Sequence, residues 1–123
     1  MPRFGVVSVA MVTPFDNDGE LDVDAAVALA KFLVAEGNES LVVSGTTGES
    51  ATLSIEEKLT LFETISAAVT VPVIGGTTGS NTRQDVGLTA EASKLGLAAI
   101  LGVSPYYNRP SQTGIEVHFR AIA

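Results

Sequence analysis

The sequence predicts an α/β fold in which a parallel sheet is built from four consecutive strand–helix units. Four short apolar runs, rich in β-branched residues, each end close to glycine, threonine, serine or proline. They recur about every 30 residues, which is the length of a strand followed by a crossover helix. The segments between them carry apolar residues at helical spacing, so strands and helices alternate along the chain.

The four apolar runs are predicted to be strands buried on both faces. None of them shows the apolar–polar alternation of a sheet that has one face in water. The runs are residues 6–12, 41–43, 71–74 and 98–103. Each is short, as expected of strands in a small parallel sheet.

Start and stop signals define a helix after each strand. The start signals are Asp22, the capping box of Ser54 and Glu57, residues 82–85, and Ser111. The stop signals are Gly37 and Gly96. The order is therefore βαβαβαβα, and parallel strands joined in this way require right-handed crossovers.

Two architectures fit this order. One is a doubly wound open sheet, and the other is a (β/α)₈ barrel, for which four units would be half. A complete barrel needs about 250 residues, whereas this chain has 123 residues.

Composition excludes several kinds of chemistry. The chain has no cysteine and one histidine, so disulfides, thiolate catalysis and multi-histidine zinc sites are excluded. A net charge of −7 argues against nucleic acid and anionic membrane as partners. The first apolar run is too short and interrupted for a membrane span and has no signal-peptide cleavage pattern, so we expect a cytoplasmic protein.

Ligands bind at the carboxyl ends of the strands in both architectures. Those ends are rich in hydroxyl groups and poor in charge. The hydroxyl residues are Thr13, Thr46, Thr47, Thr77, Thr78, Ser104, Tyr106 and Tyr107. Such groups suit a site that orients carbonyls and carboxylates or relays protons.

The stretch SGTTGES, residues 44–50, raises the question of a phosphate-binding loop. A P-loop needs a lysine after its last glycine, and none is present. Glu49 would also repel a phosphate, while the backbone N–H groups could hold a carboxylate. The simpler alternative is that glycine and threonine only form a tight turn between strand and helix.

A second constellation follows the fourth strand. Pro105 and Pro110 stiffen a loop that carries Tyr106, Tyr107 and Arg109. The tyrosine hydroxyls could relay protons, and Arg109 could pair with a carboxylate. The alternative is an aromatic loop at a subunit contact with a solvated arginine, and a loop tyrosine could also complete the site of a neighbouring subunit.

The remaining titratable residues are assigned to the surface. His118 is predicted to lie on a helix surface rather than to act as a catalytic base. Glu56, Glu57 and Asp85 are predicted to lie at helix starts and on exposed faces, where the helix dipole favours acidic groups.

Longer stretches carry a family likeness. GTTGES at residues 45–50 and SPYYNRPSQTG at residues 104–114 closely resemble the dihydrodipicolinate synthase family. VAMVTPF, TLSIEEKL, VPVIGGTTGSN and HFRAIA support the likeness, which covers essentially the whole chain. The resemblance implies a (β/α)₈ TIM barrel, with residues 1–123 as the N-terminal half of one barrel domain and the C-terminal half absent.

The resemblance also implies a reaction. Family members are lyases that condense pyruvate with L-aspartate 4-semialdehyde through a lysine Schiff base. The product is 4-hydroxy-tetrahydrodipicolinate, on the route to diaminopimelate and lysine, and no cofactor or metal is required. The family assembles as a homotetramer of two tight dimers. The alternatives are another pyruvate-dependent aldolase, similar to N-acetylneuraminate lyase, and a non-catalytic half-barrel that serves binding or assembly.

Site residues follow from the resemblance by position. Thr46 matches the threonine of a hydroxyl proton relay, and Thr47 matches the threonine that holds the pyruvate carboxylate. Tyr107 matches the relay tyrosine that crosses the dimer contact, and Tyr106 matches a tyrosine stacked at that contact. A regulatory site is implied near Ser50, Ala51, Asn81 and Tyr106.

Two departures from the family pattern limit what the chain is expected to do. The lysines, Lys31, Lys58 and Lys94, all fall in helix patterns, and the family nucleophile, a second relay tyrosine and a substrate-binding arginine match positions beyond residue 123. The chain alone is therefore expected to be inactive. Ile55 and Lys58 replace other polar residues, often histidine, which argues against feedback inhibition by lysine.

Overall fold

The computed structural model describes residues 3–123 as four strands that alternate with four helices. The strands are β1 (Ser8–Ala10), β2 (Ser40–Val43), β3 (Val73–Gly76) and β4 (Ala99–Leu101). The helices are α1 (Val23–Ala35), α2 (Ile55–Ala68), α3 (Thr82–Ala92) and α4 (Gln112–Ile122). Within residues 3–123, no helix has the length and apolar character needed to cross a membrane.

The strand order selects between the two architectures. All four strands are parallel and lie in the order β1-β2-β3-β4. Right-handed crossovers that always add the next strand on the same side place all the helices on one face of the sheet. In agreement, α1 packs on α2, α2 on α3, and α3 on α4. A doubly wound sheet instead reverses its direction of growth, so this order favours the barrel.

Three helices begin at their predicted caps. The Asp22 carboxylate accepts a hydrogen bond from the backbone N–H of Ala25 at 2.9 Å. Ser54 and Glu57 form the predicted reciprocal capping box. Ser111 Oγ accepts a hydrogen bond from the backbone N–H of Gly114 at 3.1 Å. Each cap satisfies donors that the first helical turn leaves free.

The third helix begins differently from the prediction. Asn81 is the cap, and its side-chain oxygen accepts from the backbone N–H of Gln84. Thr82 is thus already the first residue of α3, and its hydroxyl is free to bond elsewhere. An asparagine cap is as favourable as a serine cap and more favourable than a threonine cap, so Asn81 takes the cap position one residue before Thr82.

The core lies between the sheet and the helices. Its buried residues are Met11, Ala26, Ala30, Leu41, Val43, Leu53, Leu61, Phe62, Ile65, Val73, Leu88 and Ala92. The prediction that every strand is buried on both faces is correct for most of β2 and β3 and wrong for β1 and β4. These two strands have one neighbour each. Val12, just after β1, and Leu101, the last residue of β4, remain about half exposed.

Candidate active site

The carboxyl ends of β2, β3 and β4 surround a cavity of about 500 Å³. We call it the strand-end cavity. Its lining residues are Ser44, Gly45, Thr46, Glu49, Ser50, Ala51, Thr52, Gly76, Thr78, Leu101, Val103 and Tyr106. Hydroxyl groups and aliphatic carbons make up most of this surface, which suits a small molecule that needs orienting hydrogen bonds.

The SGTTGES turn, residues 44–50, forms one wall of this cavity. Ser44 and Glu49 both adopt a left-handed backbone with φ of 57°. Two backbone bonds close the turn, from Glu49 N–H to the Thr46 carbonyl at 3.1 Å and from Ser50 N–H to the Gly45 carbonyl at 3.2 Å. Non-glycine residues adopt this conformation only when their surroundings impose it, and such sites cluster where ligands bind.

Thr46 and Thr47 lie at the exposed tip of the SGTTGES turn. Among residues 3–123, neither hydroxyl forms a hydrogen bond, and Thr46 lines the strand-end cavity. Their donors and acceptors are therefore free for a ligand, although Thr47 is not among the residues that line the cavity.

The second GTTG stretch, residues 76–79, is built differently. Thr77 and Thr78 are buried, and both hydroxyls are already used. Thr77 Oγ1 lies 2.7 Å from Thr89 Oγ1 on α3, while Thr78 Oγ1 accepts from the backbone N–H of Val103. These threonines fasten β3 to its neighbours, so the two similar stretches do not serve the same purpose.

The tyrosine loop after β4 presents its two rings unequally. Tyr106 is half exposed and lines the strand-end cavity, whereas Tyr107 is 97% exposed. Tyr107 is therefore absent from the lining of the cavity that Thr46 lines. Ser80 Oγ donates to the Tyr106 carbonyl at 2.7 Å, and Asn108 Nδ2 donates to the Ser80 carbonyl at 3.2 Å. These bonds tie the loop to the end of β3.

Arg109 follows the tyrosine pair and is exposed. Its φ of 50° and the φ of 68° at Tyr107 show that the backbone of this loop is constrained. The guanidinium lines neither the strand-end cavity nor the cavity described next. The predicted pairing of Arg109 with a substrate carboxylate therefore has no geometric support within residues 3–123.

A second cavity of about 290 Å³ lies beside the first, between the beginnings of α2 and α3. We call it the helix-start cavity. Its lining includes Ser50, Ala51, Ile55, Lys58, Asn81, Asp85 and Tyr106. The structure thus brings together all the residues that the resemblance assigns to a regulatory site, and it places Ile55 and Lys58 among them.

Lys58 and Asp85 set the charge of the helix-start cavity. Burial lowers the pKa of the Lys58 ammonium, and the nearby Asp85 carboxylate opposes this effect. The other lysines lie away from both cavities, with Lys31 exposed on α1 and Lys94 exposed just after α3.

Two predictions of surface position are wrong. Asp85 is 5% exposed, and its Oδ2 accepts from the backbone N–H of Gly79 at 2.9 Å, which compensates the buried carboxylate. His118 is 2% exposed and bridges two elements, with Nδ1 2.8 Å from Thr82 Oγ1 and Nε2 3.1 Å from the Val103 carbonyl. Its helical spacing from Ile115 and Ile122, both partly buried, was the signal that could have placed it inside.

Comparison with known proteins now identifies the family. A model described as the dihydrodipicolinate synthetase family matches residues 3–123. The chain belongs to this family. It is 54% identical over 125 residues to 4-hydroxy-tetrahydrodipicolinate synthase of Symbiobacterium thermophilum, and 52% identical over 123 residues to that of Bacillus subtilis. The two matches cover 100% and 98% of this chain, but the chain spans only 43% and 42% of the length of these two proteins.

Superposition on solved structures of dihydrodipicolinate synthases supports the same fold for this chain. The enzyme of Cyanidioschyzon merolae with lysine bound superposes with a TM-score of 0.95 at 45% identity, over 98% of this chain and 42% of that one. The enzyme of Acinetobacter baumannii complexed with pyruvate superposes with a TM-score of 0.90 at 40% identity, over 94% of this chain and 40% of that one. The prediction of a TIM-barrel fold represented by about four βα units is confirmed.

The same superposition extends to a different lyase of the superfamily. N-acetylneuraminate lyase from Mycoplasma synoviae gives a TM-score of 0.91 at 28% identity, over 98% of this chain and 43% of that one. The backbone is therefore shared across members with different names, and the substrate must be argued from side chains.

Proposed function

We propose that this chain carries the N-terminal half of the active site of a 4-hydroxy-tetrahydrodipicolinate synthase. In this proposal the complete protein condenses pyruvate with L-aspartate 4-semialdehyde in the cytoplasm. The observation that carries the proposal is a constrained turn with two unengaged hydroxyls, those of Thr46, which lines the strand-end cavity, and its neighbour Thr47. The names of the most similar relatives point to the same reaction.

The two threonines have separate roles in this proposal. Thr47 binds the pyruvate carboxylate through its hydroxyl and backbone N–H, and both are donors suited to an anion. Thr46, which lines the strand-end cavity, passes a proton to the oxygen that develops from the aldehyde carbonyl. The constrained turn holds both groups in place before substrate arrives, so little ordering is required on binding.

Tyr107 enters the site from a second subunit in this proposal. A ring that is 97% exposed on its own chain gains packing and a hydrogen-bond partner only when another surface covers it. Tyr106 beside it is also half exposed and would stack at the same contact. We therefore propose a tight dimer, assembled further into a tetramer, in which Tyr107 completes the proton relay of the partner subunit.

The nucleophile of the reaction lies outside the strand-end cavity of this chain. A Schiff-base lysine needs a lowered pKa and a position at the reacting carbon, and Lys58, whose pKa is lowered by burial, lines the helix-start cavity instead. We therefore propose that a lysine of the C-terminal half condenses with the pyruvate ketone and releases water. No cofactor is needed, because the protonated imine accepts the electron pair when the methyl proton leaves.

Trapping with borohydride tests this proposal. Pyruvate and sodium borohydride are expected to leave the mass of the isolated 123-residue chain unchanged, whereas the full-length gene product should gain one reduced pyruvate adduct. Thr47→Val should weaken adduct formation at low pyruvate, and Thr47→Ser should preserve it. A stable adduct on Lys31, Lys58 or Lys94 that requires Thr46 would overturn the proposal.

The helix-start cavity is proposed to be a regulatory or dimer-contact site at Ser50, Asn81 and Tyr106. Its charge disfavours the inhibitor that the family resemblance suggests. Lys58 places an ammonium in the cavity beside Asp85, so a cationic lysine ligand would face a like charge. We therefore propose that lysine inhibits the complete protein weakly, and Lys58→His is the variant that should increase inhibition.

A second candidate is another pyruvate-dependent aldolase similar to N-acetylneuraminate lyase. The backbone superposition at a TM-score of 0.91 supports it, whereas the identity of 28% stands well below the 54% of the first candidate. Assays of the full-length product with pyruvate and each aldehyde separate the two. Turnover of a sugar aldehyde without turnover of aspartate semialdehyde would favour the second candidate.

A third candidate is a non-catalytic half-barrel that serves binding or assembly. The half-exposed Leu101 beside the free edge of β4 supports it, because an apolar sheet edge favours association. Size-exclusion chromatography of the 123-residue chain tests it. A stable dimer together with a catalytically silent full-length product would favour this candidate.

A further inference from the structure

A buried hydrogen bond joins the segment that follows β1 to the SGTTGES turn. Thr13 Oγ1 donates to the Gly48 carbonyl at 2.6 Å across 35 residues of chain. Thr13 is 7% exposed, so water does not compete effectively for this bond. Thr13 is absent from the lining of the strand-end cavity, and it can act on a ligand there only through the turn.

The donor is held in a fixed position. Pro14 follows Thr13 and restricts it to extended backbone. The Met11 N–H donates to the Val42 carbonyl at 3.1 Å, and the Asp22 N–H donates to the Pro14 carbonyl at 3.1 Å, so both flanks of Thr13 are anchored. The hydroxyl therefore has a defined direction that the sheet itself sets.

The acceptor is equally constrained. A Cβ atom added to Gly48 would lie 3.1 Å from the Met11 carbonyl oxygen and 3.2 Å from Thr13 Oγ1, so the peptide touches the end of β1 directly. The next residue, Glu49, has a φ of 57°, which fixes the far side of the Gly48–Glu49 peptide. Rotation of this peptide would carry the tip of the turn, with Thr46 and Thr47, away from its position.

We propose that Thr13 is a positioning residue that sets the orientation in which the SGTTGES turn presents Thr46 and Thr47 to pyruvate. The inference rests on the proposed function and adds a residue to it. Thr13→Val keeps the shape of the side chain but removes the donor and leaves a buried carbonyl without its partner. Thr13→Ser keeps the donor and removes only a methyl group.

Steady-state kinetics of the full-length gene product test the proposal. Thr13→Val is expected to lower kcat/KM for pyruvate by about tenfold to a hundredfold, since small displacements of substrate-orienting groups have effects of this size. The increase in KM should be larger for pyruvate than for the aldehyde. Thr13→Ser should restore both constants. Thr64→Val is the matched control, because Thr64 Oγ1 also donates to a backbone carbonyl, that of Thr60 at 2.7 Å, but on the surface of α2.

Hydrogen exchange separates a positioning role from a general loss of stability. In Thr13→Val, the amides of Glu49 and Ser50 should exchange faster while those of α1 keep their protection, and Thr13→Ser should match the wild type. Unchanged kinetics, or equal damage by both variants, would overturn the inference. If the wild-type protein neither turns over pyruvate nor forms an adduct, the proposed function fails. The exchange rates at Glu49 and Ser50 then still report whether Thr13 orients the turn.

Discussion

Substitution of Gly76 by alanine is a direct test of how closely β2 and β3 approach at their carboxyl ends. Val43 pairs with Gly75 in the parallel register, which places Gly76 beside Ser44. A Cβ atom on Gly76 would lie 2.1 Å from the Ser44 carbonyl oxygen, where ordinary van der Waals contact begins at 3.4 Å. Backbone atoms cannot rotate away as a side chain can, so the strands must separate by about 1 Å.

The expected cost follows from this overlap. Overpacking of a well-ordered interior costs about 1–3 kcal/mol, and contact with backbone puts Gly76→Ala at about 3 kcal/mol. That lowers the ratio of folded to unfolded protein on the order of a hundredfold. Gly76 lacks a positive φ, so the cost is steric and does not come from backbone conformation. The turn that begins at Ser44 should also shift, and under the proposed function this shift should weaken pyruvate binding.

Urea unfolding of the purified protein measures this cost, and α3 supplies the matched control. Gly87 lies within α3 with no atom within 4 Å of an added Cβ, so Gly87→Ala should stabilise the protein by about 0.5–1 kcal/mol. The two substitutions are chemically identical and should have opposite signs. A Gly76→Ala variant that unfolds within about 0.5 kcal/mol of the wild type would refute the close approach.

Two further predictions concern single polar side chains. His118→Leu removes the bonds to Thr82 Oγ1 and the Val103 carbonyl, so the free energy of unfolding in urea should fall by about 1–3 kcal/mol. The control is Val117→Ala, because Val117 is exposed on the same helix. Equal effects of the two substitutions would contradict the assigned contacts of His118. The backbone N–H donors of Val6 and Val7 lower the pKa of the Glu39 carboxyl. The ionised carboxylate should therefore stabilise the fold at pH values above its unfolded-state pKa, and this stabilisation should be lost as pH falls through its folded-state pKa. The stability difference between wild type and Glu39→Gln, followed by acid titration of unfolding, should therefore shrink towards acid pH, and a constant difference would contradict the assignment.

The order of strands and helices was predictable because the signals for it lie close together in the sequence. Period, cap residues and glycine stops gave the order and type of all eight elements, since each signal depends on neighbours in the chain. The choice between the doubly wound sheet and the barrel depends on the order of strand pairing, which involves contacts across about 30 residues and leaves no local signature. The family resemblance implied the barrel, and the observed strand order agrees with it.

The burial of polar residues was the part that the sequence did not reveal. A carboxylate at a helix start is usually exposed, and Asp85 is buried only because the chain beyond β3 returns to place the Gly79 N–H against it. His118 is buried for a similar reason, since Thr82 and Val103 supply partners from two other elements. Such compensation arises from tertiary contacts, so the hydrogen-bond partners of Asp85 and His118 could not be identified from one element, although the helical spacing of His118 was a signal of its burial.

The two GTTG stretches show how the same letters acquire different chemistry. After β3, Thr77 meets Thr89 on α3 and Thr78 meets the backbone beyond β4, so both hydroxyls are consumed in holding the sheet together. After β2, the turn is instead tied down through its own backbone and through its Gly48 carbonyl, which leaves Thr46 and Thr47 unengaged. A hydroxyl that makes no bond within the fold keeps its full donor and acceptor capacity for a ligand. The bond from Thr13 ties the SGTTGES turn to the segment after β1, whereas the second stretch is held by its own threonines.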